Sequence, residues 1–445
     1  MKALAHRTRD WLTFAALVTI GAAFRLVGLG STKGYIIDEV YYAKDAHSLL
    51  LHGVELTDKG QAEFIVHPPV GKWIIALGIK LFGYNEFGWR FSAAVVGSLM
   101  IGITYFVAQR LFSNYFLSVT AALLMAVDGL QLVMSRIAML DIFLAFFLLL
   151  TLLFLLQSRH WLAGISLGLA AGVKWTGFYY LIAVFAFVLY TDYRRRKALE
   201  EDKPLLNALG RDLWKRSTQF ILVPVITYIA SWIGWFAGSR GWDRGWANNH
   251  GGLFSFIPAP LRSLFHYHSE IYNFHKSLDA PHPYMSNPWS WMIMGRPTSF
   301  AYTAPKGCGA SSCASEILDL GTPFLWWAMT IALFVACGYW ISRREWQSGL
   351  LLLMMGAGFL PWFAFQQRTM FNFYAMAFEP FAILILVYVL SKFLESEAKR
   401  GLRFYSVVVL LIAIALCFLY FFPLYVGQTI TYADWHARMW FLSWI

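Results

Sequence analysis

Residues 160–197 read HWLAGISLGLAAGVKWTGFYYLIAVFAFVLYTDYRRRK, and how this stretch divides decides how the whole chain threads a bilayer. As two apolar helices over 161–173 and 176–190, broken at Lys174, it crosses twice. As one helix it crosses once, and every later segment changes sides. The basic residues choose between these readings, because cytoplasmic connections collect Lys and Arg. With two helices and the N-terminus inside, Arg110, Arg159, the run Arg194 to Lys197, the pair Arg343 and Arg344, and the cluster Lys399, Arg400 and Arg403 all face the cytoplasm. A merged helix puts the arginine run outside.

Outward from that stretch, apolar runs recur at 11–29, 90–109, 115–132, 139–156, 218–237, 321–341, 348–364, 371–390 and 404–426. A helix rising 1.5 Å per residue needs roughly 20 residues to cross about 30 Å of hydrocarbon. The pattern therefore predicts an all-α polytopic membrane protein with about 11 transmembrane helices, a single membrane domain over 1–445. The balance of 58% hydrophobic to 14% charged residues excludes a water-soluble globule. The net charge of +11 sits in short segments beside apolar runs, so it predicts membrane orientation and no nucleic acid partner. Lys2, Arg7 and Arg9 before the run from Trp11 look like a signal peptide, but the run continues towards Leu29 without a convincing cleavage site.

Two long segments, 30–89 and 238–320, and a tail over 427–445 then face outward. The first carries helical patterns over 38–52 and from Pro68, suited to lying on the membrane surface. The second is rich in Trp, Tyr, Pro, Asn and His, which predicts an ordered, aromatic-lined loop or an interfacial aromatic belt. The amphipathic stretch 429–445 predicts a further surface helix. Cys308 and Cys313 share a polar loop facing an oxidising compartment, which predicts a disulfide between them. Cys337 and Cys417 sit singly in apolar runs.

Charged groups at the outer ends of helices are costly and need a reason. Arg90, Arg136, Lys174 and Arg368 come from separate parts of the chain yet converge on the outer polar boundary, the depth of a lipid phosphate. The competing reading pairs each locally, for instance Arg136 with Asp128 or Asp141. Asp38 and Glu39 follow the first helix immediately; an acid there serves as a helix cap or as a general base. Asp141 heads an apolar helix and has the same two readings. In His67-Pro68-Pro69 the prolines set the entry to a helix, and His67 is a donor to a phosphate or sugar hydroxyl.

These residues stand in a recognisable order. Asp38-Glu39, His67-Pro68-Pro69 with Lys72, Ser135-Arg136 leading to Leu140-Asp141, and Gly172-Val173-Lys174-Trp175-Thr176-Gly177 resemble the protein O-mannosyltransferases. Pro281-His282-Pro283-Tyr284, Pro288-Trp289-Ser290-Trp291, Gly295-Arg296-Pro297 and Arg368-Thr369-Met370-Phe371 are similar to the actinobacterial branch. The resemblance implies a GT-C glycosyltransferase fold in the plasma membrane, with a polyprenyl-phosphate-mannose donor and no tightly bound cofactor. It implies inverting transfer to Ser or Thr of secreted or membrane proteins at the extracytoplasmic face. Carried over by position, the resemblance implies Asp38 as the catalytic base, with Glu39 supporting the acceptor or the site geometry. Arg136 and Lys174 hold the donor phosphate with Arg90, His67 and Arg368, and Asp141 and Trp175 are further site candidates. Two departures stand out: no stretch is long enough for the beta-trefoil MIR domain of eukaryotic members, and Val40-Tyr41-Tyr42-Ala43 follows the acids where many relatives have His-Phe-Gly. A divalent metal near Asp38, Glu39 and Asp141, and a need for secretion machinery, are left open. The alternatives are a GT-C transferase moving another lipid-linked sugar to a lipid or polysaccharide, and a secondary transporter.

Overall fold

The computed structural model describes residues 2–252, 254–395 and 400–445; Lys399, one of the expected cytoplasmic cations, lies outside them. The chain is mostly helical. Helix α1 (Lys2–Leu26) is followed by α2 (Glu39–His52) and α3 (Val70–Phe82), which pack on each other in the first long connection. These are the two helices expected at 38–52 and from Pro68. Then come α4 (Glu86–Phe112), α5 (Tyr115–Ala126), the short α6 (Gly129–Met134), α7 (Asp141–Leu156), α8 (His160–Val173) and α9 (Thr176–Ala198). Asn85, Asn114 and Asp128 cap α4, α5 and α6, each accepting a backbone N–H in the first turn. Lys174 is extended, with φ −146° and ψ 146°, and this separates α8 from α9 as the two-helix reading requires.

The run 204–237 is a broken helix: α10 (Pro204–Asn207), α11 (Leu213–Ser217), α12 (Val223–Ser231) and α13 (Ile233–Ala237), with π turns before α11 and α12. The second long connection holds α14 (Ala259–Lys276) and α15 (Pro288–Trp291), and the remaining helices are α16 (Pro323–Arg343), α17 (Trp346–Phe359), α18 (Glu379–Glu395), α19 (Arg400–Val426) and α20 (Tyr432–Ala437). Every predicted apolar run holds helix. By length and composition, Glu86–Phe112, Thr176–Ala198, Pro323–Arg343, Trp346–Phe365 and Gly401–Val426 suffice to cross a membrane. The apolar helices α5, α7 and α8 are shorter. Helix α7 is apolar on nearly all sides because it is the central post, buried against α4 and α8.

Glycine spacing sets one close approach. Gly164, Gly168 and Gly172 recur every four residues along α8; a Cβ on Gly164 would strike the Gln219 carbonyl, and one on Gly168 would come 2.7 Å from the Pro224 carbonyl. Such small-residue stripes let membrane helices pack backbone to backbone. Gly168→Leu is expected to lower stability by about 1–3 kcal/mol through overpacking, read as a lower melting temperature in detergent. Gly210→Ala, with open space around it, should leave that temperature unchanged.

The chain also forms a small antiparallel sheet that the apolar patterns did not predict: β1 (Ser299–Thr303), β2 (Cys313–Leu318) and β3 (Ile430–Thr431), in the order β1-β2-β3. Cys308 and Cys313 form a disulfide across the β1–β2 turn, with Cα atoms 5.9 Å apart. Because β3 pairs with β2, the tail is tied to the second connection, and the α-helix expected over 429–445 is confined to Tyr432–Ala437. Amphipathic aromatics misled that reading: Trp435 Nε1 donates to the buried Glu316 carboxylate at 2.6 Å, and Trp444 Nε1 to the Met294 carbonyl at 2.7 Å. They serve as polar anchors into the loop.

Candidate active site

A cavity of about 330 Å³ opens where the α8–α9 break, the segment before α3, the end of α14 and the segment after α17 meet. Lys174 reaches it from the break. Its ammonium lies 2.7 Å from an Asp141 carboxylate oxygen and 5.4 Å from the centre of the Tyr374 ring. Asp141 occupies the first turn of α7 rather than its cap position, so it meets the helix's positive end as well as Lys174. Trp175 lines the same cavity, its indole N–H donating to the Tyr228 hydroxyl at 3.1 Å. His67 and Arg368 complete the set from the far wall. Burial first, and then the Lys174 charge, hold His67 well below the usual histidine range, so it is a neutral imidazole.

Asp38 stands beside this cavity, half-buried, at the start of α2. It makes no side-chain cap hydrogen bond, so its carboxylate is not consumed by the helix end. The Tyr42 hydroxyl, one turn on, and the charges of Lys174, Asp141 and His282 act on it. Burial raises its affinity for a proton above the ordinary carboxylate range, with Lys174 opposing. That combination of an uncommitted, oriented and basic carboxylate suits proton acceptance.

Glu39 does something else. Fully buried, it takes a two-pronged ion pair from Arg90, with both nitrogen–oxygen distances 2.8 Å. It also accepts the Ile36 N–H and the Ala138 N–H, each at 2.9 Å. Glu39 thus ties the loop before α2, the head of α4 and the approach to α7 into one unit, which places Asp38 relative to Asp141. Its oxygens are committed to these contacts, so what Glu39 offers the site in this arrangement is geometry. Among the described residues, no group of three or more His, Cys, Asp or Glu gathers as metal ligands. Glu39→Gln leaves the buried Arg90 charge uncompensated and is expected to cost about 3–5 kcal/mol, read as a large fall in melting temperature.

The structure does not bring Arg90 or Arg136 to the cavity. Besides Glu39, Arg90 donates to the carbonyls of Thr32 and Gly34 at 2.7 and 2.9 Å. Arg136 donates to the carbonyls of Phe24, Arg25, Val27 and Gly28 between 2.8 and 3.1 Å, closing the C-terminal end of α1. Their partners are thus Glu39 and backbone carbonyls, and neither Asp128 nor Asp141 pairs with Arg136. Asp128 caps α6 and accepts from the Thr322 N–H and the Trp326 indole, both at 2.9 Å. Sequence reasoning missed His275, Tyr374 and Tyr179, which line the cavity, and Tyr42. These are unremarkable residues in aromatic-rich segments, and only their spacing from known neighbours in the folded chain distinguishes them.

Solved structures share this architecture. The S. cerevisiae protein O-mannosyltransferase Pmt1-Pmt2 complex bound to the sugar donor aligns with a TM-score of 0.81 at 15% identity, covering 98% of this chain and 93% of that one. ArnT from Cupriavidus metallidurans bound to undecaprenyl phosphate aligns at 0.51 and 15% identity, covering 96% of this chain and 76% of that one. The class is thus the GT-C fold of membrane glycosyltransferases. The family model for dolichyl-phosphate-mannose-protein mannosyltransferase matches residues 66–211, and that for the C-terminal four-transmembrane region of protein O-mannosyltransferase matches 260–444. The polyprenol-phosphate-mannose–protein mannosyltransferase of Mycolicibacterium smegmatis is 32% identical over 98% of this chain and 93% of its own length. That of Mycobacterium tuberculosis is 31% identical over 98% and 92%. The chain belongs to the protein O-mannosyltransferase family and is a glycosyltransferase, which sets aside the transporter reading.

Proposed function

We propose that this enzyme transfers mannose from a polyprenyl-phosphate-mannose donor to Ser or Thr hydroxyls of secreted or membrane proteins, by a single displacement that inverts the anomeric carbon. The observation that carries the reading is the free Asp38 carboxylate beside a cavity whose walls present Lys174 and Arg368. The acceptor hydroxyl attacks the sugar carbon while the phosphate leaves from the opposite face. Asp38 takes the hydroxyl proton as the carbon–oxygen bond forms, so the hydroxyl need not be ionised beforehand. The donor phosphodiester carries one negative charge and the departing phosphate monoester gains a second. Lys174, Arg368 and the neutral His67 meet that growing charge, a stabilisation usually worth several kcal/mol in a water-poor site. A phosphate is a good leaving group, and no general acid is required.

The cation pattern along the chain favours a plasma-membrane protein with its N-terminus in the cytoplasm, about eleven crossings in one membrane domain, and the site, both long connections and the tail outside. Incubating purified protein with radiolabelled polyprenyl-phospho-mannose and a Thr-rich peptide tests the assignment. A peptide heavier by one hexose on a Thr or Ser is the expected product; label appearing only in lipid or polysaccharide would assign the enzyme to another transfer.

A further inference from the structure

The cations in and around the site are held in two different ways. Lys174 is paired with Asp141, Arg90 with Glu39, and Lys72 with Asp45 and Glu55 at 3.3 and 2.7 Å. Arg368 differs. Among the described residues no carboxylate lies within ion-pair distance of it, and its hydrogen-bond partner is the imidazole of His275, with Nη2 3.1 Å from Nδ1. The other ring nitrogen, Nε2, lies 2.9 Å from the Val66 carbonyl oxygen. A carbonyl only accepts, so Nε2 carries the proton and Nδ1 presents a lone pair to the guanidinium. The His67 ring, next to Val66 in the chain, sits 5.3 Å from the His275 ring, and the Trp362 ring lies 5.8 Å from the guanidinium carbon. The Nε of Arg368 is buried and has no partner.

We infer that His275 is a positioning residue that aims Arg368 at the donor phosphate while leaving its positive charge undischarged. The inference rests on the proposed function. A carboxylate in that place would orient the guanidinium equally well but would neutralise it, and the anion arriving in the cavity would then meet no net charge from Arg368. A neutral acceptor orients at no electrostatic cost. The imidazole is kept neutral by its surroundings: burial and then the Arg368 charge push its pKa down to about 4, with Lys174 adding to the effect and the Val66 carbonyl opposing it. His275 lies at the end of α14 and Arg368 follows α17, so this hydrogen bond is among those that join the second long connection to the segment carrying Arg368, beside Thr369 N–H to the Leu278 carbonyl and Ser286 N–H to the Met370 carbonyl.

Three variants separate orientation from charge. His275→Ala removes the tether, His275→Gln supplies a neutral acceptor and a donor on one side chain, and His275→Glu supplies an acceptor with a negative charge. Binding of a polyprenyl monophosphate and the donor KM are measured for each in the full-length protein. H275A is expected to weaken both about tenfold, the scale of one hydrogen bond to a charged group. H275Q should recover most of that loss and H275E none, and kcat should fall in the same order, because Arg368 also meets the charge that grows on the departing phosphate. Equal behaviour of H275Q and H275E, with H275A like the parent, would overturn the inference while leaving the function intact. A parent enzyme that neither binds the monophosphate nor transfers mannose would bring down both.

Discussion

Replacing Asp38 by asparagine is expected to lower kcat for mannose transfer by roughly 10²–10⁴-fold, the usual contribution of a positioned general base, while donor binding persists. Asparagine keeps the shape and the approach of the Tyr42 hydroxyl but cannot take a proton. Because Asp38 makes no cap bond to α2, the substitution should not unfold the helix. The pH dependence gives a second readout. Burial raises the Asp38 pKa above the ordinary value near 3.9, so kcat/KM should rise with pH through that elevated value, and its acid limb should lie above that of an exposed aspartate. The linkage to folding has the opposite sign. Between the unfolded and folded pKa values the native state binds more protons than the unfolded state, so stability falls as pH rises through that window. At neutral pH, Asp38→Asn should therefore melt no lower than the parent and slightly higher if the penalty is substantial. Full turnover by the folded variant would remove Asp38 from the role of base.

The second large effect is expected at Lys174. Substitution by glutamine should lower kcat about 10²–10³-fold, as for loss of one preorganised group facing developing negative charge. The loss should not be uniform along the reaction. Since the donor carries one negative charge and the released polyprenyl phosphate approaches two, affinity for the monophosphate should fall more than affinity for the intact donor. Lys174→Gln also leaves Asp141 buried without its partner, so some damage would be structural. The double variant Lys174→Gln/Asp141→Asn removes that stranded charge. It should recover melting temperature without recovering turnover; recovery of both would reduce the Lys174–Asp141 pair to a structural bridge.

The same chemistry of cations and carboxylates separates the residues singled out in the sequence. Lys174, Asp141, Arg368, His67 and Trp175 do meet at one cavity, and Asp38 stands beside it. Arg90 and Arg136 looked equally out of place in the sequence, yet their partners are backbone carbonyls and Glu39. Carbonyl acceptors belong to every residue, so no residue type announces them. His275 was passed over for the converse reason: a lone histidine in an aromatic-rich segment acquires meaning only from the carbonyl on one side and the guanidinium on the other.

Hydrophobic runs, the basic residues between them and the break at Lys174 were enough, by themselves, to establish a helical membrane protein and the positions of its apolar helices, but not α14 (Ala259–Lys276), which lies in the connection read as an aromatic-lined loop. Those properties are local: a helix satisfies its own backbone, and its burial in lipid depends on its own side chains. Which charges are spent on structure and which remain for a substrate is decided by partners distant in the sequence, such as Ala138 for Glu39, 99 residues away, or Val66 for His275, 209 residues away. The strands share that dependence, since β2 exists by pairing with the segments at 299–303 and 430–431. Pairing energy of this kind is a property of two surfaces brought together, and only the folded chain brings them together.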